Sequence, residues 1–146
     1  AASFSLLFCA YKEARAMPEK LANLELLKRR HPQLEILAYD DGSPDGTADL
    51  LAARPDLVTL IRGAGRAGKA HGMKQLAARA QGEILVFTDA NVLLDEHAIE
   101  NLSSYYRDRD VGGVVGSLHY LGGEDSSTAS VGSLYWRLEE YLKDLE

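Results

Sequence analysis

One cysteine, four prolines and one tryptophan in 146 residues leave several classes of protein out of reach. A lone Cys9 forms no internal disulfide and gives no thiolate cage for zinc, so a reducing, cytoplasmic setting is expected. So few prolines, with 46% hydrophobic and 26% charged residues, exclude disordered, collagen-like and fibrous repeats. No apolar run approaches the ~18–20 residues that cross a bilayer, and the opening Ala1-Ala2-Ser3-Phe4 lacks the basic flank of a secretory signal. This stretch is expected to be soluble by itself. A formal net charge of -6 argues against a general nucleic-acid binder. The charge is uneven, however: no acid occurs between Leu57 and Gly82, where Arg62, Arg66, Lys69, Lys74 and Arg79 supply cations, while Asp40, Asp41, Asp45 and Asp49 crowd one turn upstream.

What is present is an alternation of two periods. Residues 3–10 form a nearly continuous apolar run of the kind shown by a strand buried on both faces. Pro18 then stands at a helix-opening position, with Leu21, Leu24, Leu27 and Lys28 at helical spacing up to Arg30. Further strands are predicted at 34–39, 58–62, 83–88 and near 111–120, with helices at 47–53, 69–80 and from a capping Asp95 to about Tyr106. Apolar residues at 131, 134, 138, 141, 142 and 145 predict an amphipathic helix over 130–146, with Trp136 on its other side. Strand–helix alternation with short connections predicts an α/β fold, Rossmann-like, its mostly parallel sheet covered by helices on both faces. Residues 1–146 are read as a single domain.

In such sheets ligands lie at the carboxyl ends of the strands. Three polar clusters fall there: Tyr11 to Glu13, Asp40 to Ser43, and Asp89-Ala90-Asn91. Pleat alternation points one of the adjacent Asp40 and Asp41 away from the crevice, and the other can accept hydrogen bonds from a base or a ribose. Oxygen ligands at i and i+2, as in Asp89 and Asn91, suit Mg²⁺ or Mn²⁺ whose other positions go to water and substrate phosphate. A competing motif is Gly63-Ala64-Gly65-Arg66-Ala67-Gly68, which spells G-x-G-x-x-G between a strand and a helix. It fits a flexible connection, a phosphate-contacting loop, or the turn of an NAD(P)-binding oxidoreductase. Its place on the third strand unit and its basic residues set it against the last.

Taken together, Ala10-Tyr11-Lys12-Glu13, the run from Asp40 to Thr47, Gly68-Lys69-Ala70, and the run from Gly82 to Asn91 closely resemble family 2 glycosyltransferases with the GT-A fold, across residues 3 to about 120. The resemblance implies a nucleotide-diphospho-sugar donor held by Ala10, Tyr11, Glu13, Asp41, Lys69, Asp89 and Ala90. Tyr11 would pack on the base and Asp41 would hydrogen-bond it, with Glu13 and Asp89 near ribose and diphosphate. Asp89 and Asn91 would hold the divalent metal. Asp89 would serve catalysis by stabilising the departing diphosphate while the sugar passes, with inversion, to a hydroxyl acceptor, a saccharide or a lipid-linked one, as in polysaccharide biosynthesis. Two departures stand out: Lys12 replaces a usual Asn, and Asn91 a commoner Asp, which implies weak metal binding without donor.

The family's general base and its Arg-Trp element lie farther along than this stretch reaches, and Glu124-Asp125 comes too early to replace the base. The stretch is therefore read as the donor-binding half of a larger enzyme, poorly active alone. It would lie in the cytoplasm, at the inner face of the membrane if a C-terminal part anchors it. The rival readings are the oxidoreductase domain using Gly63, Gly65 and Gly68, and a non-catalytic nucleotide-binding module.

Overall fold

The computed structural model describes residues 3–106, 113–115 and 135–136. The strands are β1 (Phe4–Ala10), β2 (Glu35–Asp40), β3 (Thr59–Arg62), β4 (Ile84–Asp89), β5 (Gly113–Val115) and β6 (Tyr135–Trp136). The helices are α1 (Met17–Arg30), α2 (Thr47–Ala52), α3 (Lys69–Arg79) and α4 (Ala98–Tyr106). The sheet order is β3-β2-β1-β4-β5-β6, parallel except for β6, which runs antiparallel to β5. Because β1 lies centrally, with β2 on one side and β4 on the other, the three strand ends carrying the polar clusters are neighbours. The register places Ala10 beside Asp40 and Cys9 beside Asp89.

Alternate residues of β1 enter opposite layers, as the pleat requires. Leu6 and Phe8 pack with Met17, Leu24, Leu27, Leu51, Ile99 and Leu102 from α1, α2 and α4. On the other face Leu7, Leu37, Tyr39 and Phe87 pack with Met73 and Leu76 of α3. Each such side chain, fully buried, contributes roughly 1.5–3 kcal/mol. Helix α3 lies close to the sheet because Gly72 has no side chain: an added Cβ would sit 2.7 Å from Cys9 Sγ and 2.8 Å from a ring carbon of Tyr39. Asp95 opens the last helical segment as expected, its carboxylate accepting the His97 N–H at 2.8 Å.

Two expectations change. The buried stripe of α1 is Met17, Lys20, Leu24 and Leu27, with Leu21 only partly covered, so it is rotated from the predicted one and includes a charge. Lys20 is 0% exposed. Its ammonium donates to the Val92 carbonyl at 2.6 Å and lies 5.1 Å from the centre of the Phe8 ring. Burial pulls its pKa down to about 8, with Asp89 favouring the charged form. The second change is at Tyr135–Trp136, a strand where the apolar period predicts helix; paired with Val114 and Val115, these aromatic residues take the ladder that an edge strand offers. The rest of 130–146 lies outside the described residues, as do His119, Glu124 and Asp125. No helix among the described residues is long and apolar enough to cross a membrane.

Candidate active site

The ends of β1 and β2 are tied together by backbone and short polar side chains. Asp41 N–H donates to the Ala10 carbonyl at 2.9 Å. Beyond it, the Lys12 and Glu13 amides donate to Ser43 Oγ and Thr47 Oγ1, both at 3.0 Å, and the Ala14 amide to Asp45 at 3.3 Å. The turn after β2 thus supports the loop that carries Tyr11 and Glu13. Asp45 also accepts the Thr47 N–H and hydroxyl at the start of α2, which hold its carboxyl below the usual range. Glu13 is displaced upward, by burial first and then by Asp45 and Asp89.

The adjacent aspartates separate as the pleat requires. Asp40 folds back on its own turn, accepting the Gly42 and Ser43 amides at 3.2 and 3.0 Å. Asp41, 4% exposed, turns to the loop after β3 and accepts the amides of Ala67 at 2.8 Å and Gly68 at 3.1 Å. The guanidinium of Arg66 lies 3.6 Å from the same carboxylate and 3.7 Å over the Tyr11 ring. At the next position Lys69, the first residue of α3, pairs with Asp89 at 3.1 Å. Tyr11, Arg66, Asp41, Gly68, Lys69 and Asp89 therefore form one connected line across the strand ends. Ala10 and Ala90 are buried beneath it, and Asn91 is exposed at its end.

This arrangement decides how the glycine-rich run works. Its Ala67 and Gly68 amides, which a dinucleotide turn would direct at pyrophosphate, are held by the Asp41 carboxylate. The run is a clamp on the second cluster, and the oxidoreductase reading loses its phosphate cradle. Gly42 stands at φ +80, and a Cβ on it would lie 3.0 Å from the Gly65 backbone, so the turns after β2 and β3 are in contact. Burial pushes the Cys9 thiol up to about 12, with Lys69 opposing the rise and Asp41 and Asp89 adding to it, which disfavours the thiolate form that attacks. His71 is exposed, with its ring edge-on to Tyr39.

Lys12 occupies the left-handed region at φ 55, alone among the described non-glycine residues. Asn adopts that conformation more readily than Lys, which costs roughly 1–2 kcal/mol there. Lys12→Asn is therefore expected to raise the unfolding free energy by about 0.5 kcal/mol. The net gain is small because the Lys12 ammonium, 5.4 Å from the Tyr11 ring centre, gives up a weak cation–ring contact. Urea denaturation would show a higher midpoint at unchanged slope; a lower midpoint refutes the strain argument.

A divalent cation fits the third cluster by its chemistry. Asp89 and the side-chain oxygen of Asn91 form an oxygen-only pair, and Asp89 already attracts a positive group in Lys69. Among the described residues no group of three or more His, Cys, Asp or Glu could hold an ion. Mg²⁺ and Mn²⁺ need only one or two protein oxygens and leave other positions to water and phosphate. Arg66 and Lys20 are the residues the sequence did not single out. For Arg66 the signal was the acid-free basic stretch around it.

Comparison with known proteins bears on the family and the fold. The family model described as glycosyl transferase family 2 matches residues 5–144. A glycosyltransferase of Nostoc sp. (strain PCC 7120), itself uncharacterized, is 26% identical over 142 residues, 94% of this chain and 43% of that protein. An N-acetylglucosaminyltransferase of Rhizobium leguminosarum bv. trifolii is 30% identical over 132 residues, 85% of this chain and 71% of that protein. Among solved structures, a mannosyltransferase of Pyrobaculum calidifontis, in complex with GDP-Man and Mn²⁺, is similar with a TM-score of 0.67 at 30% identity. That match covers 80% of this chain and 37% of the other, so the chain spans well under half the length of the Nostoc and Pyrobaculum proteins. The parallel sheet β3-β2-β1-β4 with its helices matches GT-A structures over part of their chains.

Proposed function

The chain belongs to glycosyl transferase family 2, and from that premise we propose that residues 1–146 form one donor-binding domain of an inverting, metal-assisted transferase that uses a nucleotide-diphospho-sugar. The observation that carries this reading is the line of contacts joining Tyr11, Asp41 and Asp89 across three neighbouring strand ends.

Each residue then has a chemical task. The Tyr11 ring stacks on the base, a face now covered by the Arg66 guanidinium. Asp41 accepts a base N–H, which an ionised carboxylate does well in a site with little water. Glu13 reaches the ribose hydroxyls. Ala10 and Ala90 contribute backbone and small side chains that let the donor approach the sheet edge. Lys69 and Asp89 lie at the diphosphate, Lys69 neutralising its charge and Asp89, with Asn91, holding Mg²⁺ or Mn²⁺. When bound, that ion supplies positive charge to the diphosphate as it leaves. The acceptor hydroxyl, on a saccharide or a lipid-linked molecule, attacks the anomeric carbon from the opposite side, its proton passing to a base as the bond to the diphosphate breaks. Asn91 offers a neutral oxygen, so the metal binds appreciably only with nucleotide.

Thermal unfolding tests the reading. UDP or GDP at about 100 times its Kd, with Mn²⁺ present, stabilises by about 2.7 kcal/mol, a Tm rise of roughly 5–10 °C. Mn²⁺ alone and NAD(H) leave Tm unchanged. Stabilisation by NAD(H), or by neither UDP nor GDP, overturns the proposal.

A further inference from the structure

Two side chains of helix α1 hold the segment that follows Asp89. Lys20 donates to the Val92 carbonyl at 2.6 Å. Asn23, three residues on and so on the same helix face, donates to the Leu94 carbonyl at 2.8 Å and accepts the Leu94 N–H at 3.0 Å. The Asn23 amide therefore pairs with Leu94 on both sides, as a neighbouring strand would. The turn is closed from within by the Val92 N–H donating to the Asp89 carbonyl at 3.2 Å. Leu94 is buried, whereas Asn91 and Leu93 on either side of Val92 are exposed. The segment is thus held from below by α1 and open above.

The Lys20 ammonium is costly where it stands. A buried cation loses several kcal/mol of hydration, and here its hydrogen-bond partner is a main-chain carbonyl, which returns less than a carboxylate would. A methionine of similar length would pack against Phe8 without that cost. The chain accepts the loss at the one place where the ammonium fixes the limb of the Asp89-Ala90-Asn91 turn.

We propose that Lys20 and Asn23 are positioning residues for the metal-holding turn: by gripping Val92 and Leu94 they keep the Asp89 and Asn91 oxygens set for a single ion, and so govern the metal-dependent share of nucleotide binding. This rests on the transferase reading above. It goes further in assigning a role to residues outside the crevice, and it separates them from Tyr11 and Asp41, whose contact with the base does not pass through this turn.

The test is calorimetry with UDP and with GDP, each in EDTA and in saturating Mn²⁺, on the wild type, Lys20→Met and Asn23→Asp. The last keeps the size of the side chain and the acceptor for Leu94 N–H but loses the donor. In the wild type Mn²⁺ strengthens binding of at least one nucleotide. In Lys20→Met that enhancement falls at least tenfold, and in Asn23→Asp about fivefold, while affinity in EDTA stays within twofold of wild type. A merely structural role would weaken both conditions alike or change Tm alone, and either result overturns the proposal. So does a folded variant that keeps the full Mn²⁺ enhancement. Should Lys20→Met fail to fold, as read by circular dichroism, Asn23→Asp decides by the same criterion. Absence of any Mn²⁺ enhancement in the wild type refutes the metal-assisted part of the reading on which this proposal rests, a failure seen without any variant, whereas loss of UDP and GDP binding altogether refutes the donor-binding reading.

Discussion

In the longer enzyme of which residues 1–146 are read as the donor-binding domain, Asp89→Ala is expected to lower turnover of the nucleotide-sugar by about a thousandfold or more. Asp89 ends β4, is partly exposed, and bonds to Lys69 at 3.1 Å. Its loss removes the charged member of the proposed metal pair and leaves Lys69 without the carboxylate that directs it. Removing a single pre-positioned group that stabilises developing charge costs ~10²–10³ in rate, and here two such groups are disturbed together. Asp89→Asn retains the shape and removes the charge, and it should lose nearly as much, because charge neutralisation rather than volume is the task. Initial rates at saturating donor, beside calorimetric Mn²⁺ binding in the presence of UDP or GDP, provide the check. Retention of a tenth of wild-type turnover by either variant would contradict the assignment.

The second large effect is at Asp41. In Asp41→Ala the Ala67 and Gly68 amides lose a buried acceptor, at ~1–3 kcal/mol for each donor left unsatisfied. A fall of roughly 1–3 kcal/mol in unfolding free energy is expected, since one of the two amides regains water as the loop relaxes. Nucleotide affinity should drop at least ~100-fold, because the base loses its acceptor and Arg66 its counter-charge beside Tyr11. Asp41→Asn separates the two effects: its oxygen still accepts one of the amides, so stability is mostly kept, whereas the amide accepts from the base poorly. Urea denaturation and UDP or GDP calorimetry on both variants measure this. An alanine variant as stable as wild type would mean that the clamp seen here is dispensable.

Much of the fold was legible because buried parallel strands write themselves as continuous apolar runs. The first four strands were found within a residue of their observed ends, and Asp40 and Asp41 take separate sets of partners, in keeping with the expectation that they diverge. Strand–helix alternation puts all three clusters at the carboxyl ends of strands, whereas the order that makes those ends neighbours, with β1 between β2 and β4, is seen only in the structure. What stayed hidden depends on partners far away in the chain. Lys20 reads as a solvated charge on a helix, and only Val92, 72 residues on, explains its burial. The stacking of Arg66 on Tyr11 likewise joins two loops whose meeting no local pattern announces. At Tyr135–Trp136 the helical period and the strand preference of aromatics compete, and pairing with β5 decides it.

The contact between Gly42 and Gly65 has a further consequence for how such a site can vary. Two connections that touch through their main chains cannot change length independently: an extra residue in one would lever the other off its strand and carry Arg66 away from Tyr11. Along this rim, exchanging a side chain disturbs less than changing the length of either connection.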